Sequence, residues 1–199
     1  MIPNAPPLIN GLICPPAPFA LRPMTLDDVD EVMAIESLVY TQPWSARGYR
    51  HELTHNDLAH YQVLTVALHN HTPIVGYIGY WLVLDEAHIS TIVIHPEWRG
   101  HGLGELLLLS ALYAAIAQGA VTATLEVRRS NLVAQLLYQK YGFEIVGERL
   151  RYYHDNREDA LIMTLTPLDE HVQANLAQKW ESLRCRLQLL RLPGAESVK

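Results

Sequence analysis

The chain has 199 residues, of which 49% are hydrophobic and 18% charged, and this balance excludes a disordered protein. The formal net charge of -6 argues against a nucleic-acid-binding protein, which would need a basic surface. Only two cysteines occur, Cys14 and Cys185, so we exclude a disulfide framework and expect a reducing, cytoplasmic compartment. The length predicts one domain with a sizeable core and short extensions.

Residues 1–18 hold six of the twelve prolines. Proline lacks an amide donor, so this stretch cannot form a helix or an interior strand. No Lys or Arg precedes Arg22, and the segment is therefore not expected to be a secretory signal. We predict a flexible or surface-wrapped arm, with a disordered tail as the favoured form.

The next part of the chain predicts a strand, two helices and three antiparallel strands. Thr25 and Ser45 are the expected helix caps, because their hydroxyls can accept from backbone amides of the first turn. The predicted bounds are 19–24, 25–39, 45–55, 61–68, 74–84 and 87–94.

A glycine-rich turn at 99–104 follows the third of these strands and leads into a leucine-rich helix. The first amides of a helix have no intrahelical partners, and the helix dipole favours an anion there. Glycine lets the backbone approach a diphosphate closely, and Arg99 adds a cation. We interpret the turn as a phosphate cradle. On spacing alone, a tight turn that merely needs positive φ explains the glycines equally well.

The stretch from Leu106 to Leu125 contains no Asp, Glu, Lys or Arg and is long enough to suggest a membrane span. Gln118-Gly119 interrupts it, and β-branched residues alternate afterwards. A buried helix followed by a buried strand explains the pattern better, and we predict no membrane span.

The second half predicts a helix, a strand, a helix and two closing strands. Their bounds are 104–117, 120–127, 131–141, 143–150 and 159–165. A helix that connects the strand ending at Ile94 to the strand after it is a crossover, so these two strands should lie parallel and adjacent.

The C-terminal segment 167–199 is predicted to be an amphipathic helix. Thr166-Pro167-Leu168-Asp169 has the residue types of a helix start, with Thr166 as the cap. Its apolar stripe comprises Val172, Leu176, Trp180, Leu183, Leu187 and Leu190. Docking of this stripe on the chain's own surface and a homodimer contact are equally good interpretations.

Two polar residues stand out near the parallel strands. Glu126 interrupts an apolar strand, and Tyr138 lies on the following helix. From the pattern alone, Glu126 is better explained as a solvent-facing or ion-paired carboxylate than as a catalytic group. Tyr138 is likewise better explained as a core ring. The histidines have no zinc-type spacing, with His69-x-His71 interpreted as a polar turn, and we predict no metal site.

Several segments carry a resemblance to a known family. In order from Leu21 to Leu165 they are 43–45, 84–87, 99–104, 125–131, 134, 137–143, 152–153 and 157–163. The Arg99-x-x-Gly102-x-Gly104 turn and the segment 131–143 resemble the GNAT superfamily of N-acetyltransferases. The segments 43–45 and 157–163 restrict the resemblance to the bacterial ribosomal-protein-alanine N-acetyltransferases and their close relatives.

The resemblance implies an α+β fold, an α/β sandwich. Its sheet is mixed and mostly antiparallel, with a central parallel strand pair, and helices flank it. The implied acetyltransferase domain spans 19–166, between the arm at 1–18 and the helical extension at 167–199.

The resemblance also implies roles for individual residues. Glu126 would act as general base through water, and Tyr138 as general acid toward a departing thiolate. Acetyl-coenzyme A is the implied co-substrate. The residues implied to contact it are Ile92, Val93, Ile94, Arg99, Gly100, His101, Gly102, Leu103, Gly104, Glu105, Asn131 and Tyr138. Those implied to border the acceptor are Trp44, Glu126, Tyr152 and Tyr153.

We therefore expect an acetyl-coenzyme A-dependent Nα-acetyltransferase that acts by direct attack on a protein N-terminus, with alanine of a ribosomal protein as the first choice. An α-amine has a pKa near roughly 8, against roughly 10.4 for lysine, so a modest base suffices. A small amine or a lysine side chain is the alternative acceptor. A coenzyme A-binding module without turnover is the alternative of another class. We expect no direct nucleic-acid or membrane partner.

Overall fold

The computed structural model describes residues 5–190, which form nine strands and five helices. The strands are β1 (Leu8–Ile9), β2 (Leu12–Ile13), β3 (Phe19–Pro23), β4 (Ala59–Val66), β5 (Ile74–Val83), β6 (Glu86–Ile94), β7 (Thr122–Arg128), β8 (Glu144–Arg149) and β9 (Ala160–Leu165). The helices are α1 (Val29–Val39), α2 (Ala46–His55), α3 (Leu103–Ala117), α4 (Leu132–Lys140) and α5 (Glu170–Gln188). The predicted element order between residues 19 and 165 is confirmed.

Seven strands form one sheet in the order β3-β4-β5-β6-β7-β9-β8. β6 and β7 are parallel, and every other neighbouring pair is antiparallel. The crossover through α3 requires this parallel pair, so the predicted mixed sheet is confirmed. The sequence left the order of the closing strands open. β9 lies between β7 and β8, and β8 is an edge strand.

The parallel pair separates after four residue pairs, the last of which is Ile89 with Leu125. Beyond this point β6 still pairs with β5, and β7 still pairs with β9. The register of β5 and β6 shifts next to Ser90, whose hydroxyl donates to the Gly79 carbonyl at 3.1 Å. Because a bulge bends its strand, β6 turns away from β7. We call the opening between residues 90–94 of β6 and the end of β7 the interstrand gap.

Helices cover both faces of the sheet. α1 and α2 pack on one face, and α3 packs on the other with α5 against it. All residues of α3 from Leu106 to Ala115 are buried. This explains the stretch without charges, since a helix that is apolar on all sides must be buried on all sides. Among the described residues, no helix is long and apolar enough to cross a membrane.

The described part of the N-terminal arm, residues 5–18, contains a small hairpin of β1 and β2. Leu12 and Ile13 are 8% and 1% exposed and join the core around α3. The favoured expectation of a disordered tail is therefore wrong for residues 5–18, because two apolar side chains anchor the arm. Surface wrapping, the other expectation, agrees with this packing. Residues 1–4 lie outside the described range.

The C-terminal helix starts later than predicted. Asp169 caps α5 and accepts from the Val172 amide at 2.9 Å, so the assignment of Thr166 as the cap is wrong. The Thr166 hydroxyl pairs with Thr122 instead, and the Leu168 amide donates to the Val121 carbonyl at 2.9 Å. The segment before Asp169 therefore continues along the sheet.

The apolar stripe of α5 packs on the chain's own core, in agreement with one of the two interpretations. Its four buried members are Leu176, Trp180, Leu183 and Leu187. A homodimer contact through this helix stays a prediction, as does the division of the chain at residues 18 and 166. Residues 191–199 of the predicted extension lie outside the described range.

Candidate active site

The cradle comprises residues 99–105, which follow a short 3-10 helix (Pro96–Trp98) after β6 and include the first three residues of α3. Gly100 and Gly102 both have a φ of +80°, in the left-handed region that favours glycine. Gly102 is the N-cap of α3, so the next three amides begin the helix without intrahelical acceptors. The predicted strand, glycine turn and helix N-terminus are therefore present, and the positive end of the helix dipole lies at the cradle.

One side of the cradle is open and the other is covered. A Cβ on Gly100 would meet no atom within 4 Å. A Cβ on Gly102 would lie 2.9 Å from Cδ1 of Leu183, a buried residue of α5. The cradle can therefore admit an anion from the Gly100 side, while α5 supports it from behind.

The two basic side chains of the cradle are exposed. Nε of Arg99 donates to the Ile94 carbonyl at 3.3 Å, and Nδ1 of His101 lies 3.2 Å from the Trp98 carbonyl. Both side chains therefore contact carbonyl groups of the preceding backbone and help to fix the shape of the turn.

The interstrand gap begins beside Glu126 and ends at the cradle. Ile92, Val93 and Ile94, which the resemblance implied to contact the co-substrate, lie on the part of β6 that has separated from β7. Their main chain pairs with β5 on one side. The other side of this strand faces the gap.

Glu126 is the first β7 residue beyond the last parallel pair, and its side chain is 9% exposed. Oε2 lies 2.6 Å from Nε2 of His88, and Oε1 lies 3.0 Å from Nε of Arg149. The hydrogen bond from His88, followed by the charges of His88 and Arg149, outweighs burial and lowers the pKa of Glu126. The carboxylate is thus an anion held at both oxygens.

Tyr138 is 5% exposed, and its ring centroid lies 5.8 Å from that of Phe143. Burial raises the pKa of Tyr138, and the nearby Tyr40 and Tyr153 add to the shift. The ring therefore belongs to the core, and the hydroxyl stays protonated at neutral pH. Burial also raises the pKa of Tyr153 to about 12, with Glu126 among the smaller contributors. Tyr153 therefore interacts electrostatically with both Glu126 and Tyr138.

Tyr152 and Tyr153 form one wall of the site, after β8. Their rings meet edge to face with centroids 5.2 Å apart. The guanidinium of Arg128 lies 3.8 Å from the Tyr153 centroid, and that of Arg149 lies 5.6 Å from the Tyr152 centroid. Cation–π contacts of this kind hold aromatic rings in place. Tyr152 is 40% exposed and can contact a ligand.

The loop between α1 and α2 forms the opposite wall and carries Trp44. The Trp44 amide donates to Oε2 of Glu36 at 3.0 Å, and the Tyr49 hydroxyl donates to Oε1 at 2.7 Å. The Tyr77 hydroxyl also donates to Oε1. Glu36 is 2% exposed, so a buried carboxylate fixes this loop. The Trp44 side chain itself is 44% exposed.

A polar bridge connects the two walls. Oγ1 of Thr41 donates to Oδ2 of Asp155 at 3.1 Å, and Arg128 contacts the same carboxylate oxygen at 2.9 Å. Two segments that are 114 positions apart in the chain therefore lie side by side. We call the space between the two walls the acceptor cleft.

Asn131, which the resemblance placed at the co-substrate, caps α4. Its Oδ1 accepts from the Ala134 amide at 3.2 Å. One of its polar atoms is thus used locally, and a co-substrate contact through the rest of the side chain stays a prediction.

Sequence reasoning missed three residues of the site, namely Glu36, His88 and Arg149. His88 was detectable in principle, because it lies on the strand predicted to neighbour the one with Glu126. Arg149 and Glu36 had no such signal. The position of Arg149 depends on the strand order. The contacts of Glu36 depend on how the helix packs on the sheet.

The described residues contain no group of three or more His, Cys, Asp or Glu side chains that could hold a metal ion. Cys14 follows β2 and Cys185 lies in α5, and both are exposed. Neither cysteine lies on the elements that form the gap or the cleft.

Comparison with known proteins identifies the family. Residues 29–143 match the acetyltransferase (GNAT) family. A candidate ribosomal protein bS18-alanine N-acetyltransferase of Bacillus subtilis is 46% identical over 74% of this chain and 95% of that protein. The ribosomal protein bS18-alanine N-acetyltransferase of Haemophilus influenzae is 35% identical over 68% of this chain and 90% of that protein.

A solved structure agrees with these relatives. The ribosomal-protein-S18-alanine N-acetyltransferase of Escherichia coli superposes with a TM-score of 0.66 at 28% identity, covering 75% of this chain and 94% of that one. The family match includes the cradle, Glu126 and Tyr138. The implied fold is confirmed, and the chain is an N-acetyltransferase that belongs to the acetyltransferase (GNAT) family.

Proposed function

We propose that the chain transfers acetyl from acetyl-coenzyme A to the N-terminal amine of a protein, with the alanine of a ribosomal protein as acceptor. The names of the relatives support this acceptor. The interstrand gap carries the proposal, because it runs from the cradle to Glu126. A long donor held by its diphosphate at the cradle would extend along the gap and present its acyl end beside that carboxylate.

The residues of the cradle and gap suit such a donor. Free amides at the start of α3 and the helix dipole favour a diphosphate. The main chain of Ile92–Ile94 offers hydrogen-bonding groups to an extended amide chain, as a sheet edge does to an added strand. When bound, acetyl-coenzyme A supplies a thioester carbonyl that is open to direct attack.

Glu126 serves the acceptor amine in this proposal. As an anion it attracts the ammonium form and orients the amine. Its lowered pKa makes it a weak base toward a free ammonium group. It accepts the proton through water once the C–N bond begins to form and the nitrogen becomes acidic. His88 and Arg149 hold the carboxylate in position for this step.

Tyr138 serves the leaving group. As the C–S bond breaks, its hydroxyl donates a proton to the sulfur, whose conjugate acid has a pKa near roughly 8.5. Burial keeps the phenol protonated until then. No covalent acyl-enzyme is needed, so positioning of amine, carbonyl carbon and Tyr138 supplies much of the rate.

The acceptor cleft fits a peptide end, with Trp44 on one wall and Tyr152 and Tyr153 on the other. The net charge of -6 favours a basic acceptor such as a ribosomal-protein tail. An acceptor of this kind would place the reaction in the cytoplasm.

The test uses the purified full chain with acetyl-coenzyme A and two peptides. One peptide starts with a free alanine, and the other has a blocked N-terminus and an internal lysine. Thiol release and mass-spectrometric localisation of the acetyl group are the readouts. We expect turnover with the first peptide only.

Each other outcome selects an alternative. Turnover with the blocked peptide or with small polyamines would favour a lysine or small-amine acetyltransferase. Coenzyme A binding without turnover of any amine would favour a binding module. A comparison of protein N-termini in cells with and without the enzyme would then identify the acceptor.

A further inference from the structure

A charged cluster lies directly next to the cradle. Glu105 occupies the third position of α3, and its Oε2 accepts hydrogen bonds from three groups. These are Nζ of Lys140 at 2.6 Å, NH2 of Arg186 at 2.7 Å and the Tyr141 hydroxyl at 3.1 Å. The cluster therefore joins the first turn of α3 to the end of α4 and to α5.

The same helix that carries Arg186 also supports the cradle sterically. Leu183 is fully buried, and its Cδ1 lies 2.9 Å from the position that a Cβ on Gly102 would occupy. Leu183 and Arg186 are three residues apart and thus lie on one face of α5. This face contacts the cradle twice, once through packing and once through charge.

The charges at this place oppose one another. A carboxylate in the first turn of a helix interacts favourably with the dipole, but it repels an anion bound at the same amides. Burial would raise the pKa of Glu105, and hydrogen bonds from Arg186 and Lys140 more than reverse this. Two cations around one carboxylate leave the cluster with a net positive charge, which attracts a diphosphate. Without Arg186, Glu105 would keep Lys140 as its bonded cation, with Lys179 further out, at 5.9 Å from the Tyr141 ring centroid.

We propose that Arg186 is a positioning residue for donor binding. By compensating Glu105, it keeps the start of α3 receptive to the diphosphate of acetyl-coenzyme A, and α5 is therefore part of the donor-binding unit. This inference rests on the proposed function, because it assumes that the donor binds at the cradle. It assigns α5 a role beyond packing.

The first experiment compares Arg186→Gln with a matched control, Arg184→Gln, in the full chain. Arg184 is on the same helix and pairs with Glu181 at 2.8 Å, and both partners are about one-third exposed. We expect Arg186→Gln to raise the KM for acetyl-coenzyme A and the Kd for coenzyme A by roughly three- to tenfold. The kcat and the KM for peptide should not change. Arg184→Gln should match the wild type, and Arg186→Lys should retain most of the affinity.

The second experiment separates charge compensation from anchoring of α5. The double variant Glu105→Gln with Arg186→Gln lacks both the cation and the carboxylate that it compensates. If Arg186 acts through Glu105, the affinity should return to within about twofold of the wild type, since the repulsion is gone. If Arg186 only anchors α5, the ion pair is still broken and the affinity should stay low.

Two further measurements complete the test. The loss in Arg186→Gln should shrink at high salt, because exposed charges are screened. The loss of affinity in Arg186→Gln should be equally large when 3′-dephospho-coenzyme A is the ligand. If the loss occurs only with a ligand that carries the 3′-phosphate, Arg186 contacts that phosphate directly and the proposal is overturned. The proposal is also overturned if Arg186→Gln binds coenzyme A as tightly as Arg184→Gln does. A wild-type chain that does not bind coenzyme A would instead overturn the proposed function.

Discussion

The proposed donor end and the proposed acceptor end of the site are built in different ways. The cradle consists of seven consecutive residues, and in our proposal its main-chain amides bind the donor. The acceptor cleft lies between side chains of the α1–α2 loop and of the segment after β8, which are up to 114 positions apart in the chain. The donor end therefore depends on local backbone conformation, whereas the acceptor end depends on tertiary contacts.

This difference determines how each end should respond to substitution. The amides of the cradle cannot be removed by shortening their own side chains, but an added side chain or charge can disturb their arrangement. The cleft has the opposite property, because each of its side chains can be shortened singly and its neighbours remain. Large effects should therefore come from additions at the cradle and graded effects from deletions in the cleft.

The largest effect is expected for Gly102→Glu. The new side chain needs a φ of +80°, meets Leu183 at 2.9 Å and adds a negative charge at the start of α3. We expect the Kd for coenzyme A to rise by about 100-fold or more, because the clash with Leu183 disturbs the support behind the cradle and the added charge opposes the diphosphate. Isothermal titration measures it, with circular dichroism as a check on folding.

Gly119→Glu is the matched control for this variant. Gly119 has a φ of +97°, and a Cβ at this position would meet no atom within 4 Å. The substitution therefore imposes a similar backbone strain of about 1–2 kcal/mol, but away from the cradle. This control should bind coenzyme A normally. Normal binding by a folded Gly102→Glu chain would instead show that the diphosphate binds elsewhere.

Tyr138→Phe should have the next largest effect. Removing the phenolic proton should lower kcat by roughly a hundredfold or more, while the Kd for coenzyme A changes little. Steady-state kinetics and titration measure the two quantities. Tyr113→Phe is the control, because its buried hydroxyl has no hydrogen-bond partner among the described residues. Full activity of Tyr138→Phe would remove the general-acid role.

Glu126→Gln should lower kcat/KM for peptide by roughly ten- to a hundredfold. The pKa of Glu126 is lowered from its ordinary value of 4.5. The side chain is therefore largely ionised at pH 4.5 and stays ionised at every higher pH. The increase of rate with pH should therefore follow the amine, near roughly 8, in both proteins.

A pH–rate profile of wild type and variant checks this expectation. Glu148→Gln, on the exposed edge strand β8, is the control and should be fully active. A wild-type midpoint between about 5 and 6 that disappears in Glu126→Gln would mean that Glu126 itself titrates in this range.

The smallest effect is expected for Thr41→Val, which removes the hydrogen bond between the two walls of the cleft. A hydrogen bond of this kind contributes about 0.5–1.5 kcal/mol, so the KM for peptide should rise roughly two- to tenfold, with no change for acetyl-coenzyme A. Thr54→Val, whose hydroxyl bonds within α2, is the control. An equal effect on both substrates would show that the bridge shapes the whole site.

The same contrast explains how much could be predicted from sequence. The cradle, the Ser45 cap and the parallel pair all follow from short segments, and the structure confirms their geometry. The position of β9 between β7 and β8 does not follow, since both closing strands are compatible with either order. Because Arg149 reaches Glu126 from β8, that contact was beyond sequence reasoning as well.

The errors have a common cause. Thr166 has the residue type of a helix cap, yet its hydroxyl is taken by Thr122 on a neighbouring strand. The arm is rich in proline, yet Leu12 and Ile13 find apolar partners against α3. In both places a tertiary contact overrides the conformation that the local sequence favours.

The early separation of β6 from β7 leaves a sheet that is incomplete at its centre. A donor that hydrogen-bonds to the free side of Ile92–Ile94 would act as an additional strand and restore the missing rungs. Binding would then contribute to folding stability, by about 2.7 kcal/mol at a ligand concentration of 100 times Kd. Amide hydrogen exchange in the second half of β6 should slow as the donor is added, which would make this strand a direct reporter of occupancy.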